Sequence, residues 1–239
     1  MLKANYRDGF KASLRADLKA GLEAGAKDGA KAGARVDFKK DFKELYLPKQ
    51  MPVLIDVPPM TYLTINGKGG PSEEEYQQAI PLLYSLSYVI KMNGKDLPGY
   101  YDYTVFPLEG LWWIAGAAFS LDTKQRENWL WTSLIRQPDF VTPEVFQWAI
   151  DTAKKKKPGL DFAKVRLETL TEGLCVQMMH VGPYSAEPKT LDMMRTFMGQ
   201  NGLTDATGSE RKHHEIYLSD PNRTAPERLR TVLRLPVEK

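Results

Sequence analysis

The segment His213–Pro221 carries an acid and a phenol at a spacing that suits chemistry. Successive side chains of a β-strand point to opposite faces, so Glu215 and Tyr217 share one face while Ile216 faces the other. A carboxylate placed among aromatic groups can act as a general base, or as a counter-charge for a cationic ligand. On spacing alone, an exposed carboxylate paired with Lys212 explains the pattern too.

A second segment, Val176–Pro188, reads as a strand that stops at a Gly-Pro-Tyr turn and continues into a helix. Ser185 is the predicted N-cap of that helix, and the proline at position 188 suits its first turn. Tyr184 and Glu187 are therefore further candidates for a site. Helix capping and turn packing explain these two residues equally well.

The middle of the chain is rich in aromatic residues, which suit pocket walls because tryptophan and tyrosine each carry a polar group that needs a partner. Strict alternation predicts strands over 100–106 and 129–135. A purely structural core remains the alternative for some of these side chains. The expected ligand-binding residues are Tyr103, Trp112, Trp113, Trp129, Trp131, Tyr217 and Glu187.

Periodicity elsewhere predicts an α+β protein with antiparallel strands. A strand over 54–65 is broken by two prolines and is followed by a helix with apolar positions from Tyr76 to Ile90. Thr142 and Pro143 begin another helix. The last third predicts two short strands over 165–181, a helix over 188–198, and strands over 213–219 and 230–237.

These segments resemble a known family. A strand ending in HVGPY, a helix, a Gly-Leu turn, EIYLSDP and a closing strand ending in Pro236-Val237 are similar to the C-terminal half of GyrI-like small-molecule-binding domains. The front of the chain, Asp37–Pro48 with Pro52–Pro58, Tyr62 and Gly67–Gly69, resembles their stand-alone subgroup. Some members of that subgroup hydrolyse cyclopropane-bearing genotoxic natural products.

The resemblance covers about residues 37–239 and implies duplicated strand-helix-strand-strand units, with antiparallel sheets around a central ligand cleft and helices behind. The domain would be residues 36–239, with halves of about 50–160 and 161–239. Glu215 matches the family's pocket glutamate, so Glu215 and Tyr184 are the candidate catalytic residues. The alternative function is non-catalytic binding of drugs. The expected ligand is a hydrophobic aromatic or cationic small molecule, with no cofactor.

The first 35 residues form a separate, basic extension. Apolar residues recur every four positions from Phe10 to Ala34, and glycines recur in a second register. The predicted structure is a frayed helix, because interior glycines weaken helices. This extension holds a charge of +4, so the rest of the chain sums to −1. Binding of nucleic acid is therefore expected, if anywhere, through residues 1–35.

The remaining features of the sequence bear on the cellular compartment, on membrane spans and on metal binding. Cys175 is the one cysteine and sits in a strand pattern, which predicts a buried thiol and, without a signal peptide, a cytoplasmic protein. No apolar run approaches the ~18 residues of a membrane span. Adjacent His213 and His214 point to opposite faces of a strand, so no metal site is expected. A monomer or a homodimer fits equally.

Overall fold

The computed structural model describes residues 35–115 and 127–239. The predicted repeat therefore lies, except for Arg35, outside the described residues. Five helices of four or more residues are described: α1 Phe38–Asp41, α2 Lys43–Tyr46, α3 Glu74–Asn93, α4 Pro143–Lys156 and α5 Glu187–Gln200. The strands are β1 Val53–Val57, β2 Met60–Lys68, β3 Glu109–Ile114, β4 Trp129–Arg136, β5 Arg166–Leu170, β6 Gly173–Val181, β7 Thr204–Asp205, β8 His213–Tyr217 and β9 Arg230–Glu238.

The strands form one nine-stranded antiparallel sheet in the order β1-β6-β9-β8-β3-β4-β2-β5, with β7 attached to β9. The order exchanges strands between the two halves of the chain, because β1 pairs with β6 and β5 pairs with β2. The predicted α+β class with antiparallel strands is confirmed. Since β3 pairs with β8, the two expected sheets are joined into one.

The two long helices that matter for the site lie on one face of this sheet. Helix α3 packs on β2 and β4, and its Tyr76 stacks on Trp112 of β3. Helix α5 packs on β6, where Leu191 joins a buried cluster with Leu233 of β9. Glu215 is the direct cross-strand partner of Leu233, so it shares this face. The helices thus flank Glu215, where the sequence analysis placed them behind the sheets.

The opposite face of the sheet is covered by the segment that contains α1 and α2. The Tyr46 hydroxyl donates to Glu109, and the Arg234 guanidinium donates to the carbonyl of Leu45. Val36 forms an isolated parallel bridge with Tyr103. Glu215 consequently lies on the face of the sheet that carries α3 and α5, while its neighbours in sequence face this covering segment.

Two local predictions were wrong. Residues 100–106 contain no strand beyond the Tyr103 bridge, because their backbone groups bond to Val36 and anchor the start of the described chain. Ser185 does not cap α5, since a single 3-10 turn over Tyr184–Ala186 precedes the helix and Ala186 occupies the cap position. The strands at 129–136 and 173–181 are confirmed. Among the described helices none is long and apolar enough to cross a membrane.

Candidate functional site

The candidate site lies at the β3–β8 pairing, in the gap between α3 and α5. The floor is formed where Gly110 pairs with Glu215 and Trp112 pairs with His213. Cross-strand partners share a face, so these four residues and Tyr217 all face the helices. Glu215 is 6% exposed, which removes its carboxylate from bulk water. The exposed alternative, a pairing with Lys212, is wrong, because the Lys212 ammonium lies over the Trp113 ring.

A chain of hydrogen bonds fixes the Glu215 carboxylate. The Trp112 indole N–H donates to Tyr217 Oη at 3.0 Å, and the Tyr217 hydroxyl donates to Glu215 Oε2 at 2.8 Å. His213 Nε2 lies 3.1 Å from Glu215 Oε1. Both carboxylate oxygens therefore face hydrogen-bonding groups, which is the pattern of an ionised, acceptor-only carboxylate. Each oxygen keeps a further lone pair for a water or a ligand.

Gly110 makes room for this chain. A Cβ atom at position 110 would lie 2.7 Å from Trp112 Nε1 and 2.9 Å from Tyr217 Oη. Both distances are shorter than an ordinary van der Waals contact, so any side chain would push the two groups apart. The sequence analysis missed this residue. The signal was present only as a glycine inside a strand, which often marks a close approach of side chains or a ligand.

The start of α5 brings a second acid to the same cleft. Glu187 is 2% exposed, and its Oε1 has no hydrogen-bond partner among the described residues. Burial and then the charge of Glu215 raise the pKa of Glu187 well above its ordinary value. Two like charges in one buried site are costly, so the raised pKa of Glu187 favours its protonated, neutral form beside Glu215.

Tyr184 stands at the mouth of the cleft. Its ring contacts Tyr217 edge-on at 6.1 Å between centroids, and the residue is 38% exposed. Burial, followed by the charges of Glu187, Glu215 and Asp220, raises the pKa of Tyr184 to about 12. The phenol thus stays protonated at neutral pH and can donate a hydrogen bond. Asp220, on the loop after β8, is a charged group near the mouth that sequence reasoning did not select.

Helix α3 supplies the other wall. Tyr76 stacks on Trp112 at 5.4 Å and meets Trp131 edge-on at 5.1 Å. Burial, and the nearby charge of Glu215 after it, raise the pKa of Tyr76 above its ordinary value, so this phenol too stays neutral. Sequence reasoning assigned Tyr76 to the core of the helix and did not include it in the site. Its helical spacing fits either role, and only the position of β3 decides between them.

The structure brings five predicted residues together and leaves others apart. Glu215, Tyr217, Tyr184, Glu187 and Trp112 form one cluster. Trp129 contacts Trp112 edge-on at 5.7 Å, and Trp131 is 0% exposed behind Tyr76; both support the wall from the core.

Two predicted ligand contacts lie elsewhere. Trp113 points to the opposite face of β3, because it neighbours Trp112 in the strand. Tyr103 is buried near the far end of α3, with its ring 6.0 Å from Phe140 and the Lys91 ammonium above it. Neither residue joins the Glu215 cluster.

His213 and His214 lie on opposite faces, as the alternation predicts. His213 contacts Glu215 in the cleft, whereas both ring nitrogens of His214 contact carboxylates on the covered face. In the ranges 35–115 and 127–239, no group of three histidine, cysteine or acidic side chains is arranged to hold a metal ion. The side chains around Glu215 carry carboxyl, phenol, imidazole and indole groups.

Two other concave surfaces lie outside this cleft. An open groove of about 400 Å³ runs between α3 and α4 and is lined by helix side chains such as Tyr88, Met92 and Lys157. A smaller cavity of about 90 Å³ lies on the covered face beside Tyr62 and His214. The groove between α3 and α4 lacks the two buried acids that lie close together at Glu215 and Glu187. We therefore take the surroundings of Glu215 as the candidate site.

Comparison with known proteins agrees with this geometry. A protein from Listeria innocua described as an uncharacterized conserved protein shares 52% identity, covering 85% of this chain and 100% of its own, with a TM-score of 0.81. Two structures described as a hydrolase from Listeria innocua share 50% and 51% identity, cover 85% and 86% of this chain and all of their own, and have TM-scores of 0.78 and 0.80. No curated protein matches the sequence. The GyrI-like small molecule binding domain matches residues 50–238, and the chain belongs to this family.

Proposed function

We propose that this protein is a hydrolase that adds water to an electrophilic, aromatic small molecule held in the Glu215 cleft. One observation carries the proposal: Glu215, oriented by Tyr217 and His213, lies close to a second buried acid, Glu187, whose pKa is raised by burial and by the charge of Glu215. Enzymes that need a base and an acid at one pH obtain them by such separation of pKa values. The Listeria proteins described as hydrolases, at 50% and 51% identity, support the reaction class.

Glu215 is the proposed general base. Its carboxylate is oriented by Tyr217 and His213, and a base must be held within hydrogen-bond reach of the proton that it removes. A water bound to the free lone pair of either oxygen would be the nucleophile that Glu215 activates. The aromatic walls exclude other water, which strengthens the electrostatic interactions inside the cleft.

Glu187 and Tyr184 are the proposed proton and hydrogen-bond donors. The pKa of each is raised by burial and by the nearby negative charge of the other acids, so both hold their protons at neutral pH. Donors placed where negative charge develops lower the barrier of such reactions. Tyr217 is not assigned this role, because its hydroxyl proton is already donated to Glu215.

A cyclopropane conjugated to a carbonyl is the proposed substrate class, following the resemblance of the front of the chain. The water oxygen forms a bond to a ring carbon while a carbon–carbon bond of the three-membered ring breaks. The electron pair of the broken bond moves into the carbonyl, whose oxygen takes the proton of Glu187. Glu215 takes the proton that the water loses, and passage of that proton to Glu187 restores the site with one water added.

Non-catalytic binding of a lipophilic cation is the second candidate function. The observation that favours it is the same acidic, aromatic cleft, since cations are attracted to aromatic faces and to buried carboxylates. In a binder, Glu215 would supply the counter-charge and Trp112, Tyr76 and Tyr184 the ring faces.

Turnover separates the two functions. The wild-type protein and the variants Glu215→Gln and Glu227→Gln are each incubated with an approximately 100-fold excess of a cyclopropane-containing DNA alkylator. The amount of ring-opened product is then measured by mass spectrometry. Glu227 is exposed on the turn before β9, so its variant is the matched control. The proposal expects multiple turnovers for wild type and control, and loss with Glu215→Gln. If no more than one substrate molecule per protein molecule is lost, the protein binds the compound without turning it over. If wild type and both variants turn it over at equal rates, Glu215 has no part in the mechanism.

A further inference from the structure

The reverse side of the β3–β8 pairing holds a buried ionic cluster that the proposed chemistry does not use. Gly110 and Glu215 face the cleft, so their neighbours Glu109 and His214 face the opposite side. Glu109 is 0% exposed and His214 is 1% exposed. Charged groups this deeply buried are costly unless each one is paired.

His214 lies between two carboxylates. Its Nε2 is 2.9 Å from Glu109 Oε2, and its Nδ1 is 2.9 Å from Glu172 Oε2. Glu172 Oε1 in turn accepts from Arg234 Nη1 at 2.5 Å. A carboxyl oxygen thus lies within ion-pair distance of each ring nitrogen, an arrangement that favours the doubly protonated imidazolium form.

The protonation state agrees with this geometry. Burial alone lowers the pKa of His214, but the charge of Glu172 and the hydrogen bonds and charge from both acids outweigh it and raise the pKa to about 9. Other charged or titratable groups close to the cluster are Tyr46, Tyr62 and Arg136. The cluster therefore stays assembled through the neutral pH range.

The cluster connects the strands that carry the site. Glu109 belongs to β3, His214 to β8, Arg234 to β9, and Glu172 to the turn between β5 and β6. The β3–β8 pairing extends over four residue pairs, from Glu109–Ile216 to Trp112–His213. On the cleft side this short pairing has no side chain at Gly110 to hold its register. A shift by one residue would turn Glu215 away from the cleft.

We propose that the cluster formed by Glu109, His214 and Glu172 is a positioning device, which sets the place of β8 against β3 and so the place of the Glu215 carboxylate. The expected effect on turnover rests on the proposed function of Glu215. The expected effect on the position of β8 does not. A buried ion pair is weak evidence for stability, and fixing register is its best-attested use. An apolar residue at position 214 would remove this constraint, at a cost in stability because Glu109 and Glu172 lose their shared partner.

The indole N–H of Trp112 reports on the device without any substrate, because it donates to Tyr217 and Tyr217 donates to Glu215. The chain has five tryptophans, so a ¹⁵N NMR spectrum should contain five indole N–H signals. The signal that disappears in the variant Trp112→Phe is that of Trp112. The test compares His214→Met, Glu172→Gln and His214→Lys. Met198→Ala, in the core cluster beneath the other end of α5, is the control for destabilisation alone.

We expect His214→Met and Glu172→Gln to shift the Trp112 indole signal and to lower kcat by about 10- to 100-fold with KM changed less than about twofold, since misplaced catalytic groups cost rates of this size. In His214→Lys the Trp112 signal should lie closer to its wild-type position than in His214→Met, because an ammonium can bond to both carboxylates. Met198→Ala should change neither the signal nor kcat. An unchanged Trp112 signal in folded His214→Met and Glu172→Gln overturns the inference. If His214→Met does not fold, Glu172→Gln alone decides. Absence of turnover in the wild type contradicts the proposed function but leaves the NMR outcome decisive for the cluster.

Discussion

Gly110 and Glu215 are direct partners across the strand pair that joins the two halves of the sheet, and the missing side chain of the first creates the space in which the second is oriented. The Tyr217 hydroxyl and the Trp112 indole occupy the volume that a Cβ at position 110 would need. The position of the Glu215 carboxylate therefore depends on the β3–β8 pairing and on the absence of a side chain at Gly110 as much as on Glu215 itself.

Gly110→Ala is predicted to disable the cleft. The added carbon would lie 2.7 Å from Trp112 Nε1, so the hydrogen bond from Trp112 to Tyr217 cannot persist. Overpacking of this kind costs about 1–3 kcal/mol of stability, and turnover should fall by more than the stability loss explains. Gly159→Ala is the control, because no atom lies within 4 Å of a Cβ there. Steady-state kinetics and denaturant unfolding check the pair, and wild-type rates for Gly110→Ala would contradict the assignment of the site.

Tyr217→Phe removes the hydrogen bond that orients Glu215 Oε2 while keeping the ring. Hydrogen bonds to charged groups contribute about 1.5–3 kcal/mol, which corresponds to a loss of about 10- to 100-fold in rate. Tyr88→Phe, on the exposed face of α3, should leave the rate unchanged. The comparison is made from kcat, with retained folding verified by circular dichroism. Equal kcat values for the two variants would show that Tyr217 does not orient the base.

Glu187 should make the protein less stable as the pH rises. Burial and then Glu215 raise its folded-state pKa above 4.5, so its contribution is fully present below pH 4.5 and is lost as the pH rises through the folded pKa. Glu187→Gln removes this dependence. Thermal melting curves should show the variant equal to wild type near pH 4 and more stable at pH 8. A variant that is less stable at pH 8 would contradict the buried, neutral state of Glu187.

The buried cluster around His214 should contribute fully to stability only within a limited pH range. The pKa of His214 is raised from 6.5 to about 9, so its contribution is complete below pH 6.5 and is lost as the pH rises through about 9. The pKa of Glu172 is lowered from 4.5 to about 2, after burial is outweighed by Arg234 and His214, so its contribution is complete above pH 4.5 and is lost toward pH 2. Both contributions are complete between pH 4.5 and 6.5.

Denaturant unfolding of wild type and His214→Met tests this window. The stability difference between the two proteins should be largest between pH 4.5 and 6.5 and should shrink by pH 10, because the wild-type imidazolium has then lost a proton. A difference that stays constant from pH 6 to pH 10 would show that His214 is not held as a charged group.

Much of the fold could be predicted from local patterns. Alternation placed Glu215 and Tyr217 on one face, and their hydrogen bond confirms it. Thr142 and Pro143 marked the start of α4, and the Thr142 hydroxyl accepts from the backbone of Val145. These features depend on spacing within one element, which the sequence displays directly.

The remainder depends on contacts between distant segments. Tyr103 alternates with other aromatic residues as a strand residue would, yet it packs near Phe140, because the backbone groups of its neighbours Asp102 and Thr104 bond to Val36. Trp113 looked equivalent to Trp112 until the register with β8 separated their faces. Nothing local indicated that Gly110 would lie opposite Glu215, because the β3–β8 pairing joins residues about a hundred positions apart. For the same reason, the position of His214 between acids from two other parts of the chain could not be predicted.

A crystal structure with a bound aromatic cation would locate the ligand site without any assumption about turnover. Tetraphenylphosphonium is a suitable probe, because it is rigid, aromatic and not hydrolysed. We expect it between α3 and α5, with its rings against Tyr76 or Trp112 and its charge facing Glu215. If the probe binds instead in the α3–α4 groove beside Tyr88 and Met92, and no density is found near Glu215, the ligand site does not lie at Glu215.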